Sequence, residues 1–442
     1  MPVHSLPYPE DEGALVAALS RELPDAVWLD SGDGFGRYSI IAADPRAMIT
    51  WEGGVLWHRE GGAWHREPHA VDPLAWLRQQ LATARDDGPP PFAGGAIGYF
   101  GYDLGERCMG VPREQSSSIP EMLVGLYDWA VVSDHYRRVC WLAGPAADGA
   151  LARWLDTLTR GAPATGSYRV GEPAVDLDEA GYRQAFARVR RYIRDGDCYQ
   201  VNLSRCFSAD FDGDALAAYR DLRRYSSGPY GAYLGFAGAE VLSLSPERFL
   251  TLRDRHVETR PIKGTRAREA DPAGDAARRA ELLQSAKDRA ENVMIVDLLR
   301  NDLGRVCRPG SVRVPELFAI ESYATVHHLV SSVVGELAQG HDALDLLRAA
   351  LPGGSITGAP KRRAMEIIAE LEPSRRGVYC GSIGTLGYDG AMDTSIAIRT
   401  AVRTGDRLEY RAGGGLVWDS ACEAEFAETA SKARAFLDFL AG

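Results

Sequence analysis

The chain has 442 residues, 45% of them apolar and 25% charged, and its 50 basic and 61 acidic side chains leave a net charge of −11. That length allows a deep core and more than one lobe, the composition excludes a disordered or fibrous chain, and the acidic balance argues against non-specific nucleic-acid binding. Uncharged stretches such as 90–102 fall short of the ~20 apolar residues of a membrane span, and the start, MPVHSLPYPEDEG, shows neither the basic nor the apolar segment of a secretory signal. Seven cysteines without a C-x-x-C pair suit reduced thiols, so a cytoplasmic protein is expected.

In chain order, AMITWEGGVLWHRE alternates apolar and polar residues around Gly53-Gly54, which predicts a two-residue hairpin in a β-rich portion over 1–150. Gly, Pro and Ser clusters between Ala143 and Asp178, around one short helical piece at Leu151 to Leu158, mark a boundary. A second portion then runs over 175–442, the two intertwined. Tyr182, Phe186, Val189 and Ile193 recur at helical spacing, as do Leu282, Leu283, Ala286, Ala290, Val293, Met294 and Leu298, which predicts one helix through ELLQSAKDRAENVMIVDLLRND. Strands are predicted at Glu240 to Leu252, Val378 to Gly387, Met392 to Val402 and Arg407 to Arg411, with Asp389-Gly390 as a hairpin turn. Ala364, Ile367, Ile368 and Leu371 form the buried stripe of a helix that opens at Pro360. A capping box, Ser420-x-x-Glu423, opens the last helix. Long helices with antiparallel hairpins indicate an α+β layered fold and argue against a Rossmann sheet.

Several residues could carry chemistry. Only four of the 50 basic residues are lysine, at 263, 287, 361 and 432, and only an amine can lose its proton and act as a nucleophile near neutral pH. Asp288 with Glu291, and Glu425 with Glu428, are spaced three apart on helices. Each pair shares a face, as a solvated surface or as half of an all-oxygen site for a hard cation. GGSITGAPKRRAMEII leads glycines into a helix N-terminus that attracts anions or is simply a tight turn; it is no Walker loop, because Ala359 follows Gly358. Gly413 to Gly415 interrupt a strand, as a bulge or as backbone that closely approaches a ligand. In SIAIRT, alternation places Arg399 opposite Ile396 and Ile398, where an inward guanidinium needs an anion. Of His327 and His328, only one can face a given side. Lys263, between Ile262 and Gly264, needs burial or a base to become a free amine, and Glu247 on a preceding strand is a candidate proton acceptor.

These segments, GDCYQVNLSR, SPERF, RPIKGTR, AKDRAENVMIVDLLRNDLGRV, YATVHHLVSSV, GGSITGAPKRRAMEII, GVYCGSIG, DTSIAIRT and GGGLVWDSACEAEFAETASKA, occur in one order over most of 180–440. In them the chain resembles the chorismate-utilising enzymes, the family that includes anthranilate synthase component I. The resemblance implies a two-domain α/β sandwich of antiparallel sheets with outer helices. It also implies a Mg²⁺ site in which Glu291 and Glu428 are ligands and Asp288 and Glu425 support them through water. Mg²⁺ is implied to hold the ring carboxylate of chorismate, while Arg399, Tyr379 and the Gly414 and Gly415 amides hold the pyruvyl carboxylate, with Lys432 and Ser355 nearby.

Two positions discriminate between branches of the family. Gln200 stands where isochorismate and salicylate synthases carry a water-activating lysine, and P-I-K-G-T stands where anthranilate synthases read P-I-A-G-T. The first argues against water as the nucleophile, and the second favours the branch that aminates chorismate at C4 on the way to p-aminobenzoate and folate. Lys263 is then similar to the covalent nucleophile, Glu247 to the proton donor, and His328 to the family histidine. Cys380 lacks the G-x-C elbow of a glutaminase, so a separate glutamine amidotransferase subunit is implied as the ammonia source. Relatives also bind tryptophan; Ser31, Arg37, Tyr38, Pro229 and Tyr230 would line that pocket, although GPYG departs from the S-P-Y form of feedback-regulated members. The competing expectations are anthranilate synthase component I and a catalytically silent chorismate or tryptophan sensor.

Overall fold

A computed structural model describes residues 1–441 apart from 33–34, 69–70, 82–89, 112–116, 161–165, 227 and 324–325. Its frame is a pair of antiparallel sheets of 13 and 12 strands, joined face to face, with helices on both outer sides. One core fills the space between the sheets, with Val27, Val132 and Val241 from one meeting Ile97, Tyr99 and Ile383 from the other. A second lies outside the 13-stranded sheet beneath helices Glu12–Glu22, Ala215–Tyr225 and Cys422–Ala441. The third holds helices Ala286–Gly304, Ala343–Ala350 and Lys361–Leu371. Each fully buried aliphatic side chain in these layers contributes roughly 1.5–3 kcal/mol relative to exposure. Among the described residues no helix is long and apolar enough to cross a membrane.

Each sheet draws on both portions of the chain. Val27–Asp30 pairs with Tyr230–Phe236 in one sheet, and Gly95–Phe100 pairs with Ser382–Gly387 in the other. The hairpin at Gly53-Gly54 forms with both glycines at positive φ, 57° and 84°, as its two-residue turn demands. The turn at Asp389-Gly390 likewise joins Ser382–Gly387 to Met392–Ile396. The helix between the two portions is longer than the short piece expected, running over Ala147–Arg160.

Two predicted strands are each two strands. The segment expected as Glu240 to Leu252 is Ala239–Ser245 in the 13-stranded sheet and Arg248–Arg253 in the other. Pro246 and Glu247 lie in the crossing, where proline cannot serve a ladder. The segment expected as Met392 to Val402 is Met392–Ile396 and Thr400–Thr404, again in different sheets. There the chain turns through Ile398, whose N–H reaches Ile396 O at 2.8 Å, and through Arg399 at φ 52°. Arg399 therefore does not sit on a strand face set by alternation. The two crossings lie side by side, with Ile396 N–H donating to Glu247 O at 3.0 Å and Ser245 Oγ donating to Ile396 O at 2.6 Å.

The helix expected through 281–302 is also two. Pro272–Gln284 stops, and Ser285 opens Ala286–Gly304 by accepting the Asp288 N–H on its hydroxyl. Leu283 and Val293, counted in the apolar stripe, are exposed. Gly413 to Gly415 form no bulge: Arg407–Leu416 pairs without a break along Gln200–Gly213. The strand expected to end at Arg411 continues through them.

Candidate active site

Lys263 stands on strand Ile262–Ala267 and donates from Nζ to Ser355 O at 2.9 Å. Ser355 lies in the 3-10 turn Gly354–Ile356, and its Oγ donates to Glu247 Oε1 at 2.9 Å. The glycine-led loop thus ties amine to carboxyl. Burial pushes the Lys263 pKa down, against the raising pull of Glu247 and Glu291. Burial likewise pushes the Glu247 carboxyl up, with Lys263 and the Ser355 hydroxyl opposing. Desolvation disfavours both charged forms, so the pair is biased towards a neutral amine facing a protonated acid.

The four helical carboxylates gather beside this pair. Glu291 is largely buried, its pKa raised first by burial and further by Asp288 and Glu425. Glu425 is buried and raised by desolvation, with Glu428 adding repulsion. Gly414 leaves room for Glu425: a Cβ there would lie 3.1 Å from Glu425 Oε2, and in ordinary contact, 3.6 Å, with Glu428 Oε1. The close approach that the glycines permit is to the protein's own carboxylates, and at Gly415 to the Gln200 amide, 2.5 Å from a would-be Cβ. Each carboxylate has a partner: Asp288 takes Arg266 at 3.0 Å, Glu428 takes Lys432 at 2.7 Å, Glu425 takes the Ser420 hydroxyl at 2.7 Å, and Lys287 stands 3.9 Å from Glu291. Lys432 also donates to Gly413 O at 2.8 Å. The capping box expected at Ser420 is replaced by this bond to Glu425, while Glu423 pairs with Arg183.

Around this core stand groups with unmet capacity. Gln200 is fully buried, and neither its Oε1 nor its Nε2 has a hydrogen-bond partner. Arg399 forms no ion pair with a carboxylate among the described residues, although its charge is felt at His328. His328 is buried, shares a 2.9 Å hydrogen bond between Nδ1 and Thr265 Oγ1, and is driven down to about 4 by burial and then by Arg399. It is neutral at physiological pH. His327 faces elsewhere, bonded to Ser322 and Asp275, so the two histidines divide between opposite sides as strand alternation requires.

Tyr379 is buried against the Arg376 guanidinium, 5.6 Å from its ring centre, and borders a cavity of about 280 Å³ that Thr400 and Arg411 also line. Lys361 is a structural cation, buried on Asp302 at 2.7 Å. Ser31 adjoins Pro229 across Gly36, and Tyr230 stacks with Arg248, but Arg37 is drawn off to Asp134 at 2.7 Å and lies over Tyr38. Sequence reading missed Thr265 and Arg266; their position two and three places after Lys263 on one strand was the available signal.

The carboxylates have the chemistry of a hard-cation site, since all donors are oxygens and Glu291 and Glu425 repel one another, with Lys263 and Lys287 opposing at Glu291. As the side chains lie, no three acidic, histidine or cysteine side chains among the described residues close on one point. The all-oxygen donor set fits a divalent cation.

A buried amine beside a buried acid, an acidic cluster and an unpaired arginine on one crossing of strands define an enzyme site for an anionic substrate. The chain belongs to the chorismate binding enzymes, whose family model matches residues 24–438. It is 46% identical to aminodeoxychorismate synthase component 1 of Klebsiella aerogenes, over 98% of this chain and 97% of that protein. Identity to aminodeoxychorismate synthase component 1 of Escherichia coli K12 is 43%, over the same shares. Among solved structures, anthranilate synthase component I from Streptococcus pneumoniae TIGR4 superposes with a TM-score of 0.80 at 33% identity, covering 91% of this chain and 92% of that one.

Proposed function

We propose that this enzyme aminates chorismate at C4, through a covalent adduct on Lys263, to give 4-amino-4-deoxychorismate for p-aminobenzoate and folate synthesis. The observation that carries the reading is the Lys263–Ser355–Glu247 arrangement, in which burial favours the free amine and the protonated acid together. Lys263 Nζ forms a bond to C2, the two ring double bonds each shift one place, and the C4–O bond breaks. Glu247 gives its proton to the departing hydroxyl, which leaves as water. Ammonia then bonds to C4, the double bonds shift back, and the C2–N bond breaks to return Lys263.

Glu291 and Glu428 would hold Mg²⁺, which neutralises the ring carboxylate when bound. Arg399 suits the pyruvyl carboxylate as a bidentate partner, and the unpartnered Gln200 amide supplies a buried donor and acceptor for the ring. Neutral His328 contributes a hydrogen bond, not a charge. Ammonia is to come from a separate glutamine amidotransferase, a reading supported by the "component 1" in the names of the relatives.

Product identification by mass spectrometry tests this, with purified enzyme, chorismate, Mg²⁺ and excess ammonium. The expected product is aminodeoxychorismate, absent in Lys263→Ala. Anthranilate, or unchanged turnover in Lys263→Ala, would overturn the covalent route.

A further inference from the structure

Arg266 separates one acidic residue from the other three. Its guanidinium is fastened at three points: Nη2 to Asp288 Oδ2 at 3.0 Å, Nε to Glu281 Oε1 at 2.9 Å, and Nη1 to Thr265 O at 3.0 Å. Asp288 is fixed in turn. Its N–H donates to Ser285 Oγ, and its Cβ and Cγ lie 3.0 Å from where a Cβ on Gly264 would stand, at φ 87°. The cations beside Glu291 and Glu428 differ in kind. Lys287 and Lys432 have 61% and 40% of their side chains exposed, so they can swing into water on flexible stems when a divalent cation arrives. Arg266 has 26% exposed, and all three nitrogens of its planar fork are already bonded within the protein.

From this contrast we infer that Asp288 is not a donor to the bound cation. It is the latch, through Arg266, that fixes helix Ala286–Gly304 to the strand carrying Lys263. The inference rests on the metal reading given under the proposed function and departs from the family expectation for this one position. A carboxylate paired with a guanidinium has its charge compensated, so it adds little attraction for a cation held through water. Glu291, one helical turn further on, retains that attraction because its neighbouring Lys287 is exposed to water and 3.9 Å away.

Mn²⁺ titration of the intact enzyme, followed by loss of the free-ion paramagnetic resonance signal, reads this without any turnover. Glu291→Gln is expected to weaken binding by at least about tenfold. Asp288→Asn, which is isosteric, is expected to stay within about threefold of the parent. Arg266→Met releases the Asp288 charge and is expected to tighten binding several-fold, and adding Asp288→Asn to it should bring affinity back to the parental range. Weakening by Asp288→Asn as large as that by Glu291→Gln overturns the latch while leaving the metal reading intact, and this comparison stands even if Arg266→Met folds poorly. An Mn²⁺ affinity indifferent to Glu291→Gln overturns the metal reading and the latch with it.

Discussion

At the scale of single residues, the site depends on burial opposing charge. Lys263 and Glu247 are each moved towards neutrality by desolvation, yet each in its charged form would favour the charged form of the other. The sign of this coupling can be measured. An ionised Glu247 raises the Lys263 pKa, so Glu247→Gln removes that pull and Lys263 loses its proton at lower pH. Carbamylation of Lys263 by cyanate, followed by peptide mass spectrometry against pH, should show its midpoint displaced downward in the variant. A midpoint that stays put or rises would mean that the carboxyl does not act on the amine. Turnover in the same variant should fall by about 10²–10⁴-fold, the usual worth of a positioned proton donor.

At the scale of elements, strand Ile262–Ala267 does three jobs in six residues: Lys263 faces Ser355, Thr265 orients His328, and Arg266 holds Asp288. Gly264 makes the arrangement possible. A side chain there would meet Leu282 Cδ1 at 2.8 Å and Asp288 at 3.0 Å, at a positive φ that L residues resist. Gly264→Ala is expected to destabilise the fold by about 1–3 kcal/mol in chemical denaturation and to perturb Lys263 reactivity; an unaffected midpoint would refute the account.

Much of this was legible beforehand. The hairpin turns, the stripe of helix Lys361–Leu371 and the acidic pairs follow from short-range periodicity and turn chemistry, which are local. The crossings at Pro246 and at Arg399 were not, because alternation continues across them while the sheet changes underneath. Ser285 was read through for the same reason: the helical period survives a one-residue break. The Ser420 hydroxyl was assigned to a cap because its competitor, Glu425, is chosen by packing against Gly414 and not by spacing.

At the scale of the molecule, the two portions of the chain are stitched once in each sheet, at Val27–Asp30 with Tyr230–Phe236 and at Gly95–Phe100 with Ser382–Gly387. Both joints are central strand pairs, so neither portion can complete its sheets alone. Expressed separately, 1–150 and 175–442 should each lack a cooperative transition in far-ultraviolet circular dichroism, and mixing should restore one. A sharp transition in either fragment by itself would contradict this. The paired crossings between sheets add one more consequence. Glu247 and Arg399 owe their places to main-chain turns rather than to side-chain neighbours. The expected consequence is that the scaffold holds its shape when individual side chains at 200 and 263 are exchanged, so that variants there keep the parental melting transition whatever they do to turnover.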